Sequence, residues 1–535
     1  MQVAELVRTA ALLAVTGGLV GIVVAAMRWR GLAWTWGLAA VLGLPVALLI
    51  GWRATTAYGA AAVAIGVAGA AWHYRDVMAG GDLSARARDR RGPADQIRAR
   101  FVRRQIRRDR CSSDEGVVVG QDSRGRLVRV PIGGSRPSHG LVCGATGSGK
   151  TVSMVLIARA AIARGAGVIV VDPKPDDFML EQIRDAAMRA RRRFILWTPE
   201  GDTIYNPYGH GFDTEIADKL LATETFTEPH YERLAQRYLG HVVRALRGAG
   251  VTVSLASVFE VMRPAGLASL ARDLPADNAM ALLDYLESLT PQQERDLAGA
   301  RDRLAILAEG DVRAWINPLT HGESIDLRAA LDRGDVAMFR LDADRRPLAT
   351  GMLAAAIVQD LVAISASRQS GDHRPGLVVI DEFSAIAAKE VVRLFGRARG
   401  AKLSLLLGTQ ELADLAAVLT SAAALAGIRD QVLGNVDAFI AHRQVVPESA
   451  ELLAAIAGTR GAWVTTHQTG GGFGATRTGL GSRTRGREYA IHPDEIKSDG
   501  VGEAAVIVPR LRQATIVRII NPSHLRGRRS RAHLT

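Results

Sequence analysis

Residues 139–151 read HGLVCGATGSGKT, and they constrain the fold more than any other part of the chain. Leu141, Val142 and Cys143 form a short apolar run suited to a buried strand. Gly144, Ala145, Thr146, Gly147, Ser148, Gly149, Lys150 and Thr151 then fit the spacing G-x-x-x-x-G-K-[ST]. The following VSMVLIARAAIARG has helical periodicity. Strand, glycine-rich loop and helix in this order place the loop at the carboxyl end of a parallel strand, facing a helix N-terminus. Glycines let backbone N–H groups wrap phosphates, Lys150 reaches the β- and γ-phosphates, and the Thr151 hydroxyl ligates Mg²⁺. The expected ligands are therefore ATP and Mg²⁺, held by residues 144–151.

Three further strands belong to the same sheet. The run Val168–Val171 ends at Asp172 in AGVIVVDPKPDD, so Lys174 and Asp176 lie near the ligand crevice or in a plain proline-punctuated turn. The run Leu377–Ile380 ends at Asp381-Glu382. A carboxylate there binds Mg²⁺ and its neighbour activates the attacking water, so Asp381 is assigned to the metal and Glu382 to the base. In KLSLLLGTQELADL the apolar run ends at Gly408-Thr409-Gln410, where the Gln410 amide polarises the water or senses the γ-phosphate. Arg397 and Arg399, just before that strand, are candidates for an arginine finger acting across a subunit boundary.

Between the two halves of this core, residues 205–330 read as helical. In HYERLAQRYLGHVVRAL the apolar positions Tyr231, Leu234, Tyr238, Val242 and Leu246 recur at helical spacing. The expected fold class is thus α/β, a P-loop domain that resembles motor domains of the RecA/FtsK type and is interrupted by an all-α insert. Its first part covers 116–204, beginning with a small β-hairpin, and its second part covers 331–520. The Gly-, Thr- and Arg-rich segment 458–489 reads as a mobile loop, with Arg477, Arg483, Arg485 and Arg487 available to DNA. EAAVIVPRLRQATIVRII then reads as a hairpin closing the sheet, and 521–535 as a basic tail.

The amino end has a different solvent. Residues 10–27, 31–52 and 54–72 are nearly uncharged apolar stretches within a region, 1–75, expected to hold two or three transmembrane helices. The linker 76–115 follows, and within it residues 86–110 carry eleven arginines against three aspartates, which places everything beyond residue 75 in the cytoplasm of a plasma-membrane, multi-pass protein. The whole chain has 535 residues, a net charge of +13 and a pI near 10.3, favouring an anionic partner: nucleic acid or anionic lipid. Its two cysteines, Cys111 and Cys143, give neither a disulfide framework nor a metal-ligand cluster.

GATGSGKT, VVDPKPD, the helical insert, VVIDEF, GTQELADL and the amino-terminal apolar segments together resemble the type IV secretion coupling proteins, the VirD4, TraD and TraG family within the FtsK- and HerA-like motors. The resemblance spans most of residues 1–460. It implies a homohexameric ring that pumps DNA, as a single strand attached to relaxase, into the components of a conjugative secretion channel. It implies roles for Lys150, Thr151, Asp381, Glu382 and Gln410, and for Arg399 as the finger, eleven residues before Gln410. Pro175 in DPKPDD departs from the glycine often found there, and a third apolar segment departs from a two-span pattern. Other motors share this core: a double-stranded DNA pump, which normally ends in a winged-helix module not visible here, and a protein-secretion ATPase. A membrane docking receptor gated by nucleotide is a further alternative. An ABC transporter is disfavoured because no LSGGQ-type signature precedes the second carboxylate-bearing strand.

Overall fold

The β-branched and leucine runs become strands of one 12-stranded sheet. The structure, a computed structural model, describes residues 112–113, 116–134, 136–221, 229–310, 313–317, 323–383, 388–412, 422–470 and 476–525. The apolar segments expected to span a membrane, the Arg-rich stretch 86–110 and the end of the basic tail lie outside them.

An antiparallel edge opens the described chain: β1 (Ser112–Ser113), β2 (Gly116–Asp122) and β3 (Leu127–Val130). Asp122 turns the β2–β3 hairpin by accepting the backbone N–H groups of Arg124 and Arg126 at 2.9 and 2.7 Å. The phosphate-loop unit follows as β4 (Gly140–Cys143) and α1 (Lys150–Ala163), then β5 (Gly167–Asp172), α2 (Asp177–Arg189) and β6 (Phe194–Trp197). After the insert come α10 (Leu327–Arg333), β9 (Val336–Arg340), α11 (Pro347–Ser367), β10 (Gly376–Ile380), α12 (Ala388–Ala398), β11 (Leu403–Thr409), α13 (Ala422–Asn435) and β12 (Ala438–Ala441). The sheet is closed by β15 (Glu503–Val508) and β16 (Gln513–Ile519), the expected terminal hairpin.

The strand order is β1-β2-β16-β15-β12-β4-β11-β10-β5-β9-β6, parallel from β12 to β6 and antiparallel from β15 outward. Every residue of β4, β5, β10 and β11 is buried, which explains why these strands read as continuous apolar runs rather than alternating ones. One face packs against α1 and α2 through Met154, Ile157, Ile162 and Ile183. The other packs against α11 and α12 through Leu353, Ile357, Leu361 and Leu394. By length and composition α11 could cross a membrane, but here it is a core helix, mostly buried inside the protein.

The insert is helical, as its periodicity predicts. It contains α3 (Asp213–Leu220), α4 (Pro229–Gly248), α5 (Leu255–Val261), α6 (Pro264–Ser269), α7 (Ala276–Glu287), α8 (Pro291–Ala308) and α9 (Arg313–Ile316). Tyr238, Val242 and Leu246 of α4 are buried at helical spacing, with Leu234 partly so. Where the chain enters and leaves, β7 (Thr203–Ile204) pairs in parallel with β8 (Glu323–Ser324).

The segment 459–488 differs from its expected loop. It is a two-stranded hairpin, β13 (Thr459–Gly470) with β14 (Thr476–Tyr489), and it falls outside the compact unit formed by the described residues on either side. The reason lies in its threonines, which favour extended backbone even where bulky apolar residues are few. Arg477, Arg483, Arg485 and Arg487 all lie on β14, and Arg487 Nε donates to Thr459 Oγ1 at 2.8 Å. Between β12 and the hairpin lies α14 (Pro447–Ala457), and between the hairpin and β15 lies α15 (Pro493–Ser498).

A buried ion pair joins the insert to the motor core. Lys219 on α3 donates to Asp360 Oδ1 of α11 at 2.7 Å and to the carbonyls of Pro207 and His210, both at 2.9 Å. The Tyr205 hydroxyl donates to Asp360 Oδ2 at 2.9 Å, so each carboxylate oxygen has a donor. Removing one partner of such a pair leaves a charge without compensation. Lys219→Met should destabilise the protein by about 3–5 kcal/mol, with Lys219→Met/Asp360→Leu recovering most of the loss. Chemical denaturation of the three proteins checks this, and equal losses in both variants would contradict it.

Candidate functional site

The parallel strand register brings the predicted residues together. Cys143 of β4 pairs with Thr409 of β11, and Leu407 of β11 pairs with Ile380 of β10. The strand ends therefore present three loops side by side: the glycine-rich loop 144–149, Gln410 and Asp381-Glu382. Gln410 stands between the other two because β11 lies between β4 and β10.

The glycines act at specific positions. Gly147 and Gly149 have φ of 77° and 111°, a left-handed region that favours glycine. A Cβ on Gly147 would meet nothing within 4 Å, so that face of the loop is open, whereas one on Gly144 would lie 2.5 Å from Ser148 Oγ and 2.6 Å from His442 Cβ. The Gly144 N–H donates to the carbonyls of Thr409 and Gln410 at 3.2 and 3.1 Å, tying the loop to β11. Ser148 Oγ is buried with no hydrogen-bond partner. A phosphate oxygen would satisfy it, and this fits the loop to a nucleotide.

Lys150 is the first residue of α1, and its Nζ lies 3.1 Å from both Asp381 Oδ1 and Glu382 Oε2. Burial disfavours its charge, but the two carboxylates outweigh burial and raise the ammonium pKa. The acidic pair thus already holds a cation beside Thr151. An oxygen donor set of hydroxyl and carboxylate suits Mg²⁺. Glu382 has φ of 46°, unusual for a residue with a side chain, and its N–H donates to Asp381 Oδ1 at 2.9 Å. Phe383, fully buried, anchors this strained turn in the core.

Two residues emerge that their sequence motifs did not identify. Gly408 makes room for the acidic pair: a Cβ there would lie 2.3 Å from Asp381 Oδ1 and 2.9 Å from Met154 Sδ. A glycine inside an apolar strand was the available signal, since it marks a close approach. The other is Asp172, at the end of β5. Its carboxylate accepts the N–H groups of Lys174 and Asp176, at 3.2 and 2.9 Å, and shapes the proline turn. Burial first, with the charge of Asp381 adding, raises its pKa to about 7 against those two hydrogen bonds. Asp176 caps α2 by accepting the Met179 N–H at 3.0 Å, while Lys174 is exposed. The turn is thus built by Asp172 and Asp176, and neither Lys174 nor Asp176 joins the cluster around Lys150. Cys143 is buried and its thiol is pushed up to about 12, so it is inert packing.

Arg399 is not brought into this site. It lies before β11, at the amino ends of the parallel strands, where its Nη2 donates to Asn435 O at 2.9 Å and Asp437 Oδ2 at 3.0 Å. Gln410 lies at the opposite end of β11, about 20 Å away along a seven-residue strand. The exposed Arg397 is likewise on the far edge.

Known proteins resemble this arrangement. Residues 375–499 match the model described as the TraM recognition site of TraD and TraG, and residues 119–193 match the helicase HerA-like C-terminal model. Among solved structures, the unbound bacterial conjugative coupling protein TrwBdeltaN70 is similar over 79% of this chain and 91% of its own, at 17% identity and a TM-score of 0.57. The plasmid coupling protein TrwB in complex with ADP and Mg²⁺ is similar over 78% of this chain and 92% of its own, at 18% identity and TM-score 0.54. VirB4 of Thermoanaerobacter pseudethanolicus is similar over 78% and 99%, at 14% identity and TM-score 0.51. No curated protein matches the chain. The resemblance to type IV coupling proteins of the HerA/FtsK-like group is thus borne out by both family models, and the TrwB motor fold is shared.

The role assigned to Gly408 is testable. Gly408→Ala should leave the melting temperature within a few degrees of wild type, because the atoms displaced belong to the outer parts of the Asp381 and Met154 side chains rather than to backbone. It should lower Mg²⁺-dependent nucleotide hydrolysis by about tenfold or more, through displacement of Asp381. Unchanged hydrolysis in a folded variant would remove Gly408 from the site.

Proposed function

We propose that the chain is a membrane-anchored ATPase that couples a DNA–relaxase substrate to a conjugative type IV secretion channel and moves DNA by ATP hydrolysis in a homohexameric ring. One observation carries the reading: Lys150, followed by Thr151 at the start of α1, reaches Asp381 and Glu382 across the end of β11, where Gln410 stands. This is the minimal set for phosphoryl transfer to water. The loop 144–149 cradles the phosphates by its N–H groups and by Ser148 Oγ. Lys150 leaves the carboxylates and meets the β- and γ-phosphates. Thr151 and Asp381 would hold Mg²⁺, which would supply charge stabilisation when bound. Glu382 accepts the proton of the attacking water, and Gln410 orients it.

Arg399 supports a ring through its position. It lies at the far edge of the sheet from its own phosphate loop, with a half-exposed guanidinium, so its finger role is toward a neighbour's nucleotide. The transmembrane segments within 1–75 anchor the ring in the plasma membrane, with the motor in the cytoplasm. The Arg-rich stretch 86–110 and the arginines of β14 supply contacts to phosphates, of lipid and of DNA. Such contacts make DNA affinity fall steeply with salt. The resemblance to coupling proteins favours DNA attached to relaxase as the substrate.

The test is hydrolysis by the full-length chain with and without single- and double-stranded DNA. Stimulation by DNA is expected, and Lys150→Ala should abolish turnover and transfer while leaving membrane insertion intact. Turnover that ignores both forms of DNA would point to a protein-secretion ATPase instead. Normal transfer by Glu382→Gln would sink the motor and favour a docking receptor.

A further inference from the structure

The phosphate loop is clamped from beneath by a part of the chain that carries no nucleotide motif. The strand β12 ends at Ala441, and His442 continues its direction, donating its N–H to Cys143 O at 2.8 Å. The side chain of His442 is fully buried. Its Nε2 lies 2.8 Å from Ser153 Oγ on the first turn of α1, and its Nδ1 lies 3.1 Å from Glu503 O at the start of β15. A carbonyl can only accept, so Nδ1 carries the proton and Nε2 accepts from the Ser153 hydroxyl. Burial holds the ring pKa down, to about 4, so the imidazole is neutral.

The ring also fits the underside of the loop at both ends. A Cβ on Gly144 would lie 2.6 Å from His442 Cβ, and one on Gly149 would lie 3.3 Å from His442 Cε1. The adjoining backbone completes the clamp. Ala145 N–H donates to Arg443 O at 3.1 Å, and Gly502 N–H donates to Ser148 O at 3.2 Å. Gln444, also buried, donates from Nε2 to Gln410 O at 3.2 Å. The β12 tip therefore braces both the loop and the position of Gln410.

We infer that His442 is a positioning residue of the phosphate cradle, holding residues 144–149 open for the nucleotide's phosphates through Ser153 and the β12–β15 pair. The inference rests on the nucleotide reading of the site. Its physical content is preorganisation: a glycine-rich loop has many conformations, and a buried ring beneath it removes the collapsed ones before the ligand arrives. His442 touches neither the phosphates nor the attacking water, so its loss should weaken binding rather than the chemical step.

The experiment measures ADP binding by titration calorimetry and steady-state ATP hydrolysis on the full-length chain. His442→Ala should raise the KM for ATP and the Kd for ADP by about tenfold or more, with kcat within about threefold of wild type. Ser153→Ala, which loses one of the two ring bonds, should show a smaller shift of the same kind. His442→Asn keeps a donor toward Glu503 and His442→Gln keeps an acceptor toward Ser153, so each should recover part of the binding. Wild-type ADP affinity in both alanine variants, with melting profiles showing that they are folded, would overturn the proposal. So would a fall in kcat with KM unchanged. Should His442→Ala fail to fold, Ser153→Ala decides by the same readout. Failure of the wild-type chain itself to bind ADP would instead remove the nucleotide reading, and with it this one.

Discussion

The ion pair between Lys150 and the carboxylates of Asp381 and Glu382 organises the site. It joins residues that follow two strands which are not neighbours, β4 and β10, and it spans the tip of β11. One ammonium faces two carboxylates, so the cluster is charge-deficient as it stands. On the proposed reading, Lys150 would turn to the phosphates of a bound nucleotide, and the acidic pair would then be free to hold Mg²⁺. Both partners are largely buried, and each separated charge would be costly without a replacement. Such an exchange would favour nucleotide and metal binding together. The left-handed backbone of Glu382 keeps the second carboxylate turned toward Lys150, and buried Phe383 holds that conformation in place.

The same constraint explains the shape of the surrounding sheet. Three adjacent strand ends must be level to within a side-chain length, and fully buried parallel strands supply that precision because both faces are locked by helices. Gly408 shows how tight the fit is, since a single methyl group would occupy the space of an Asp381 oxygen. The insert leaves this machinery undisturbed by entering and leaving at the short β7–β8 pair. Its buried Lys219–Asp360 joint fastens it to α11, the helix that leads into β10. An ion pair with each carboxylate oxygen satisfied fixes one geometry where an apolar contact would tolerate several.

Much of this was legible in the sequence, because the signals are local. The phosphate loop has a fixed spacing, the buried strands are continuous apolar runs, and α4 buries Tyr238, Val242 and Leu246 at the expected interval. What escaped notice depends on partners distant in the chain. His442 follows a strand with no motif around it, and its meaning comes from Ser153 and Glu503, which only the sheet brings near. Gly408 is ordinary until β10 is placed beside β11. The composition of 458–489 points to a loop, whereas its threonines, extended-backbone formers, lie along the two strands β13 and β14.

Arg399 shows how topology changes the meaning of a motif. Its spacing from Gln410 resembles that of an arginine finger acting across a subunit boundary, and the strand between them carries the two to opposite ends of the parallel strands. At its own edge Arg399 is oriented by Asp437, whose Oδ2 also accepts the His139 N–H at 2.9 Å. His139 immediately precedes β4, and Cys143 at the other end of β4 leads directly into Gly144. The strand thus runs from the anchor of Arg399 to the phosphate cradle as one rigid, fully buried segment.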